Sequence, residues 1–358
     1  MVKHSKRYFL TFFILVSMVV SACSGGAKQA GTDAGEQATK SVETTREIVD
    51  MADRTVTIPA EINKVVLIGP VPVLSTFVLA VGEGDKIING LPESFAKQNR
   101  WKYLPKFAPN LGTEPTMQGE SRDPNIEEIL LAAPDIVFSM DDQVVKQLEE
   151  NGLTAIYLTW KEPEEVKETI KLVGEIFNKQ AEAKAYATYF DETIAKIKAV
   201  TNQIPENERV TALNTNFTNL SQPHEIAEWW IEQAGGISVT DESAEVANKG
   251  FTVEQLLQWD PDVIIVAKPS EIEDLKQDVR FQTLKAVKND RIYSTPLGAH
   301  IWANRTSEQP LMVLFAAKHM YPDLFENVDL EREVMNFYQT FFQYDLTEEE
   351  AKEILAGK

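Results

Sequence analysis

The sequence predicts an α/β protein built as two lobes of like topology, each around a parallel sheet. Three observations predict it. Short apolar runs of strand length alternate with segments whose apolar residues recur at helical spacing, the pattern of strands joined by helical crossovers. One such unit occurs twice without gaps, as Glu127-Glu-Ile-Leu-Leu-Ala-Ala-Pro134-Asp135-Ile-Val-Phe138 and Glu254-Gln-Leu-Leu-Gln-Trp-Asp-Pro261-Asp262-Val-Ile-Ile265. Between the two copies lies a long amphipathic segment, Ala181 to Val200, on which the lobe boundary is expected.

Residues 1–22 read as a lipoprotein signal peptide. Lys3, Lys6 and Arg7 give a positive start, and the apolar run Phe9 to Val20 is shorter than the roughly 17–25 residues a spanning helix needs. It ends in Val20-Ser21-Ala22-Cys23, which resembles a bacterial lipobox, so Cys23 is the expected lipidation site. As the sole cysteine it leaves no disulfide within the chain. Residues 23–49, rich in Gly, Ala, Thr and Gln, are expected to be a flexible tether.

The first lobe, residues 50–180, opens with the strand Val65 to Ile68, ending at Gly69-Pro70, and a helix from Val73 to Val81. A strand at Lys86 to Asn89 follows, then the helix Glu127 to Leu131 and the strand Asp135 to Met140. A helix around Val144 to Glu150 and a strand at Ala155 to Thr159 come next. Pro163 stands at a helix start, and Val166, Ile170, Val173 and Phe177 share one face of that helix. Tyr186, Phe190, Ile194 and Ile197 do the same for the interlobe segment, residues 181–203. The second lobe, 204–358, repeats the alternation. It has strands at Val210 to Asn214, Val263 to Ala267 and Arg291 to Ser294, and helices around Trp229 to Ala234 and Leu311 to Met320.

The chain carries a formal net charge of −20, and removal of the first 22 residues would make it more acidic. Such a surface argues against nucleic acid or an anionic membrane face as partner. No G-x-S-x-G, H-E-x-x-H, Walker A or G-x-G-x-x-G pattern occurs, so the enzyme classes those motifs serve receive no support, and no enzymatic activity is expected.

Ligands of open α/β sheets bind beyond the carboxyl ends of the strands. That rule selects Met140 and Trp160 from the first lobe, and Asn216, Lys268 and the loop with His300, Trp302 and Arg305 from the second. Arg100 and Trp101 lie on a further loop of the first lobe. Tryptophan and arginine facing one cleft suit a large flat ligand with acidic or phenolate oxygens. Each has an alternative: Trp101, Trp160 and Trp302 as packing residues, His300 as a hydrogen-bonded loop residue, and Arg305 as a helix cap or a partner of Glu308. A bare divalent ion would want several converging histidines and carboxylates, and beyond residue 22 only His224, His300 and His319 are present. Hence no protein metal site and no cofactor are expected, with two histidines and Asp141 as the alternative; any metal is expected to arrive inside a chelate.

Taken in order, these segments resemble the bacterial solute-binding proteins for iron complexes, haem and cobalamin. The resemblance is carried by Asp53-Arg-Thr-Val56, Asn125-Ile-Glu127, Ala234-Gly-Gly236 and Thr252-Val-Glu254. Leu284 to Tyr293, Trp302 to Arg305 and Tyr321-Pro-Asp-Leu-Phe325 complete it. It implies two Rossmann-like lobes joined by one long rigid helix, with the ligand cleft between them and small lobe movements. It further implies a monomeric, lipid-anchored protein on the extracytoplasmic face that hands a ferric siderophore-type chelate to an importer, the permease subunits and their ATPase. Haem, cobalamin and nickel or other metallophore complexes are the alternatives, and an exported metalloenzyme is the less favoured reading. In that family glutamates placed like Glu127 and Glu254 pair with permease arginines, which makes these two the expected docking residues, with Glu128 the alternative in the first lobe.

Overall fold

Alternating exposure marks the first two strands, β1 (Thr45–Val49) and β2 (Thr55–Pro59), which pair antiparallel and bury Ile48 and Ile58. The computed structural model describes residues 44–224, 226–240 and 250–358, so Cys23, the signal peptide and most of the tether lie outside the described residues. The tether, expected to run to residue 49, gives way to strand at Thr45. The connection after β1 is fastened by the buried Asp50 carboxylate, which accepts the N–H groups of Ala52, Arg54 and Tyr157 at 3.0, 3.1 and 3.0 Å.

The first sheet contains β3 (Val65–Ile68), β4 (Ile136–Ser139) and β5 (Ala155–Tyr157), parallel and in that order. Strands β3 and β4 are buried along their whole length, as expected of a sheet covered on both faces; β3 is an unbroken apolar run and β4 is apolar up to its last residue, Ser139. The strand expected at Lys86 to Asn89 is reduced to a single bridge between Ile87 and Val65. The cause is Asn89, whose amide takes the place of a strand: its Oδ1 accepts Leu67 N–H at 2.8 Å and its Nδ2 donates to Leu67 O at 3.2 Å.

The helix Gln180–Thr201 runs 22 residues and buries Tyr186, Phe190, Ile194 and Ile197, the face their spacing predicts. The second sheet follows, with β6 (Thr211–Thr215), β7 (Ile237–Ser238), β8 (Val263–Val266) and β9 (Ile292–Ser294) in the order β7-β6-β8-β9, all parallel. With Ile87 beside β3, the first sheet has the same order. The internal repeat is thus a repeat of topology. Ala133 and Asp260, just before the two Pro-Asp pairs, are both left-handed, at φ 47° and 42°. Each aspartate then closes the start of the neighbouring strand: Asp135 accepts Lys64 N–H at 2.9 Å and Asp262 accepts Thr211 N–H at 3.0 Å.

Two C-terminal helices, Leu330–Phe342 and Glu348–Leu355, are not evident from the sequence alone. They turn back onto the first lobe, where the Tyr338 ring stacks on Phe107 at 4.8 Å and Lys102 and Tyr103 both reach Glu353 at 2.6 Å. Burial and the Glu353 carboxylate push the Tyr103 hydroxyl's pKa above its usual range. One apolar core therefore includes residues on both sides of the long helix, among them Phe77, Trp160, Tyr186, Trp302 and Tyr338.

Candidate functional site

Beyond β9 the chain forms the loop from Leu297 to Arg305, closed by a bridge between Leu297 and Ile301. Trp302 N–H bonds back to Pro296 O at 3.2 Å, and Gly298 N–H to His300 O at 3.1 Å. The Glu308 carboxylate lies wholly buried beneath this loop. Burial pushes it up to about 7, against four donors that favour its charged form: the Tyr338 hydroxyl, the His300 and Ala299 N–H groups, and the Trp302 indole.

This loop brings His300 to the first lobe. Its ring centroid lies 5.1 Å from that of Trp101, and the Arg100 guanidinium sits 4.9 Å above the Trp101 ring. His300 is buried, and burial lowers its pKa to about 4; Arg100 and His224 are near enough to disfavour a second positive charge. The imidazole is therefore neutral at neutral pH and keeps a lone pair. The Asn304 amide approaches its Nδ1 at 3.5 Å. His224 accepts Ile226 N–H on Nδ1 at 3.2 Å. The Trp101 indole N–H is buried with no acceptor. Buried donors are rarely left so, and one in a cleft between lobes marks a place where a ligand atom can accept. Arg100, Trp101 and Asn304 thus offer donors, and among the described residues no carboxylate is one of the groups that act on His300.

The remaining expected residues have other placements. Trp160 and Arg305 do meet across the lobes, since the Trp160 indole donates to Arg305 O at 2.9 Å. The Arg305 charge is felt by Glu165, whose carboxylate is held down first by the N–H groups of Lys161 and Glu162. The alternative Arg305–Glu308 pair does not form; the Glu308 carboxylate is taken by the four donors above. Trp302 is wholly buried with its N–H on Glu308 at 3.1 Å, so it supports the loop from within. Met140 lines a separate cavity of about 590 Å³ with Gly69, Pro70, Arg122 and Asp141, at the carboxyl ends of β3 and β4. Asn216 caps a short turn by accepting Asn219 N–H at 3.2 Å, and Lys268 is exposed after β8. His224 and Asn304 carry no motif. The strand-end rule could have found His224, which lies on the loop after β6. Glu127 and Glu254 are both exposed in the first turn of their helices. Among the described residues no group of three or more His, Cys, Asp or Glu could hold a metal ion, and no helix is long and apolar enough to cross a membrane.

Two parallel lobes of one strand order, meeting through tryptophan and histidine at the carboxyl ends of their strands, have the architecture of a two-lobed solute-binding protein. The chain belongs to the periplasmic binding protein family, whose model matches residues 79–297; its class is that of the substrate-binding proteins of ABC transporters. Among curated proteins it is 26% identical to the molybdate-binding protein MolA of Haemophilus influenzae, over 83% of this chain and 91% of that one. It is 22% identical to the iron-uptake system-binding protein of Bacillus subtilis, over 80% and 90%. Among solved structures, a periplasmic solute-binding protein from Veillonella parvula superposes with a TM-score of 0.74 at 24% identity, covering 87% of this chain and 97% of that one. MolA bound to molybdate gives 0.70 at 23% identity, covering 84% and 99%.

Proposed function

We propose that this protein captures a compact, anionic, metal-containing solute between Arg100, Trp101, His224 and His300 and delivers it to the permease of an ABC importer, without chemical turnover. The observation that carries this reading is the buried Trp101 indole N–H without an acceptor, on a ring whose centroid lies 5.1 Å from that of a neutral imidazole and 4.9 Å from a guanidinium above it. A set of donors with a lone pair beside it suits oxygen atoms that carry negative charge around a metal. The rings stand in contact, so a small oxyanion such as molybdate, the solute named for the Haemophilus relative, needs less separation of the lobes than a flat macrocycle does. A ferric siderophore-type chelate is the second reading. It is favoured by the exposed Arg100 side chain, which can meet a carboxylate or catecholate at the mouth of the cleft, and by the iron-uptake relative. Two imidazoles leave most of the coordination of any metal to the solute itself.

Titration of tryptophan fluorescence with molybdate, tungstate, a ferric tris-catecholate, haem, cobalamin and nickel–histidine tests this. Saturable molybdate binding, weakened about tenfold or more by Arg100→Ala and by His300→Ala, is expected. Saturation by the ferric chelate alone moves the assignment to the second reading. Affinity for every probe left intact by both substitutions rejects the site.

A further inference from the structure

Glu308 occupies the last position before the helix Gln309–Met320, yet its side chain does not cap that helix. It points back under the loop. Oε1 accepts Ala299 N–H at 2.9 Å and the Trp302 indole at 3.1 Å, Oε2 accepts His300 N–H at 2.7 Å, and the Tyr338 hydroxyl also donates to Oε1. Glycine at 298 leaves room for this arrangement. A Cβ there would lie 1.7 Å from the Tyr338 hydroxyl and 2.2 Å from Glu308 Oε1. The flanking chain is fixed as well, since Tyr186 in the long helix donates to Ser307 O at 2.9 Å and Trp160 to Arg305 O at 2.9 Å.

A carboxylate is a costly way to fill a buried space, and an apolar residue of like volume would serve packing alone at least as well. What a carboxylate adds is geometry. Two main-chain N–H groups in succession are bound to its two oxygens by hydrogen bonds that are stronger for being made to a charge. One of those N–H groups belongs to His300 itself.

We propose that Glu308 is a positioning residue for solute capture: it fixes the loop so that His300 faces Trp101, and Tyr338 links that hold to Phe107 of the first lobe. The proposal rests on the reading of the Trp101–His300 contact as the solute site. Tyr338 stacks on Phe107 at 4.8 Å, and Phe107 follows Trp101 by six residues on the same first-lobe excursion. Both walls of the cleft are therefore tied to one buried carboxylate.

The test compares the wild-type chain with Glu308→Gln and Tyr338→Phe at pH 8, by amide hydrogen exchange without solute and by titration with molybdate and the ferric tris-catecholate. In Glu308→Gln the Ala299 and His300 amides should exchange at least about tenfold faster while those of β6 and β8 keep their protection, and Kd should weaken about tenfold. Tyr338→Phe should shift both readouts in the same direction by about threefold. Unchanged protection at 299 and 300 overturns the proposal, as does faster exchange with an unchanged Kd. A uniform loss of protection through both lobes overturns it too, since that is the mark of lost stability alone. Should the glutamine variant fail to fold, Tyr338→Phe decides by the same two measurements. A wild-type protein that binds neither probe overturns the solute reading and the capture role with it, while exchange at 299 and 300 still reports whether the carboxylate holds the loop.

Discussion

Burial moves two ionisable groups of the 297–309 segment in opposite directions. His300 falls from 6.5 to about 4, and Glu308 rises from 4.5 to about 7. In both, burial opposes the charged form, and for Glu308 it outweighs four donors. The signs for stability differ accordingly. Between pH 4 and 6.5 an unfolded chain protonates the histidine while the folded one resists, so that contribution is lost as pH falls. Between pH 4.5 and 7 the unfolded chain releases the glutamic proton while the folded one keeps it, so that contribution is lost as pH rises. Tyr338 and Tyr186 feel the Glu308 charge, and both are common to wild type and Glu308→Gln. The difference in unfolding free energy between these two proteins should therefore shift in favour of the variant from pH 4.5 to 7, by on the order of 3 kcal/mol, and level off above. Urea unfolding at pH 4.5, 6 and 8 measures it; parallel profiles would mean that Glu308 titrates at its ordinary value.

Elements here are decided by main-chain hydrogen bonding as much as by apolar pattern. The segment Lys86 to Asn89 has the composition of a strand, yet one side-chain amide supplies what a ladder would have supplied to Leu67. Leu67 is wholly buried, so Asn89→Ala leaves a donor and an acceptor without partners and without water. The expected cost is about 2–4 kcal/mol by denaturant unfolding, and a cost well under 1 kcal/mol would show that neighbouring groups take over. The duplicated Pro-Asp units act by the same logic: each aspartate accepts the N–H at the start of the adjacent strand, which is why a helix, a left-handed residue and a strand recur together.

For the whole molecule, equal strand order in the two sheets places Glu127 and Glu254 at equivalent points of their lobes, each in the first turn of the helix before Pro-Asp. The helix dipole favours an acid there without any partner. Exposed ion pairs are weak singly, so a pair of them on two lobes would orient and speed an encounter with basic permease residues rather than hold it. The Glu127→Arg, Glu254→Arg protein should keep its fold and its solute affinity but lose uptake in cells, whereas full uptake would leave both as ordinary helix-start acids. In the same cells Cys23→Ala should move the exported protein from the membrane to the soluble fraction with unchanged affinity, because none of the residues proposed to meet the solute lies near Cys23 in the chain. Persistence in the membrane fraction would refute lipidation at that residue.

The sequence by itself determined most of the frame. Apolar runs as long as a strand, helical spacing in the segment from Ala181 to Val200, and the gapless repeat are local properties, readable because each element buries its own face. It also marked Arg100, Trp101, Trp160, His300 and Arg305, through the rule that loops at strand ends carry ligands and through residue types suited to anions. Which of these meet was a matter of tertiary structure. Trp101 and His300 lie far apart in the chain, and nothing in either neighbourhood states that their rings touch. Trp302 offered the same signal as Trp101, yet its side chain is turned inward by Glu308, a residue that local spacing marks only as a helix-start acid. The C-terminal helices and the Tyr338 hydroxyl complete that arrangement from a distant part of the chain. Burial and long-range hydrogen bonding are properties of the assembled core, and they decide which of several side chains with the same local signal come together between the lobes.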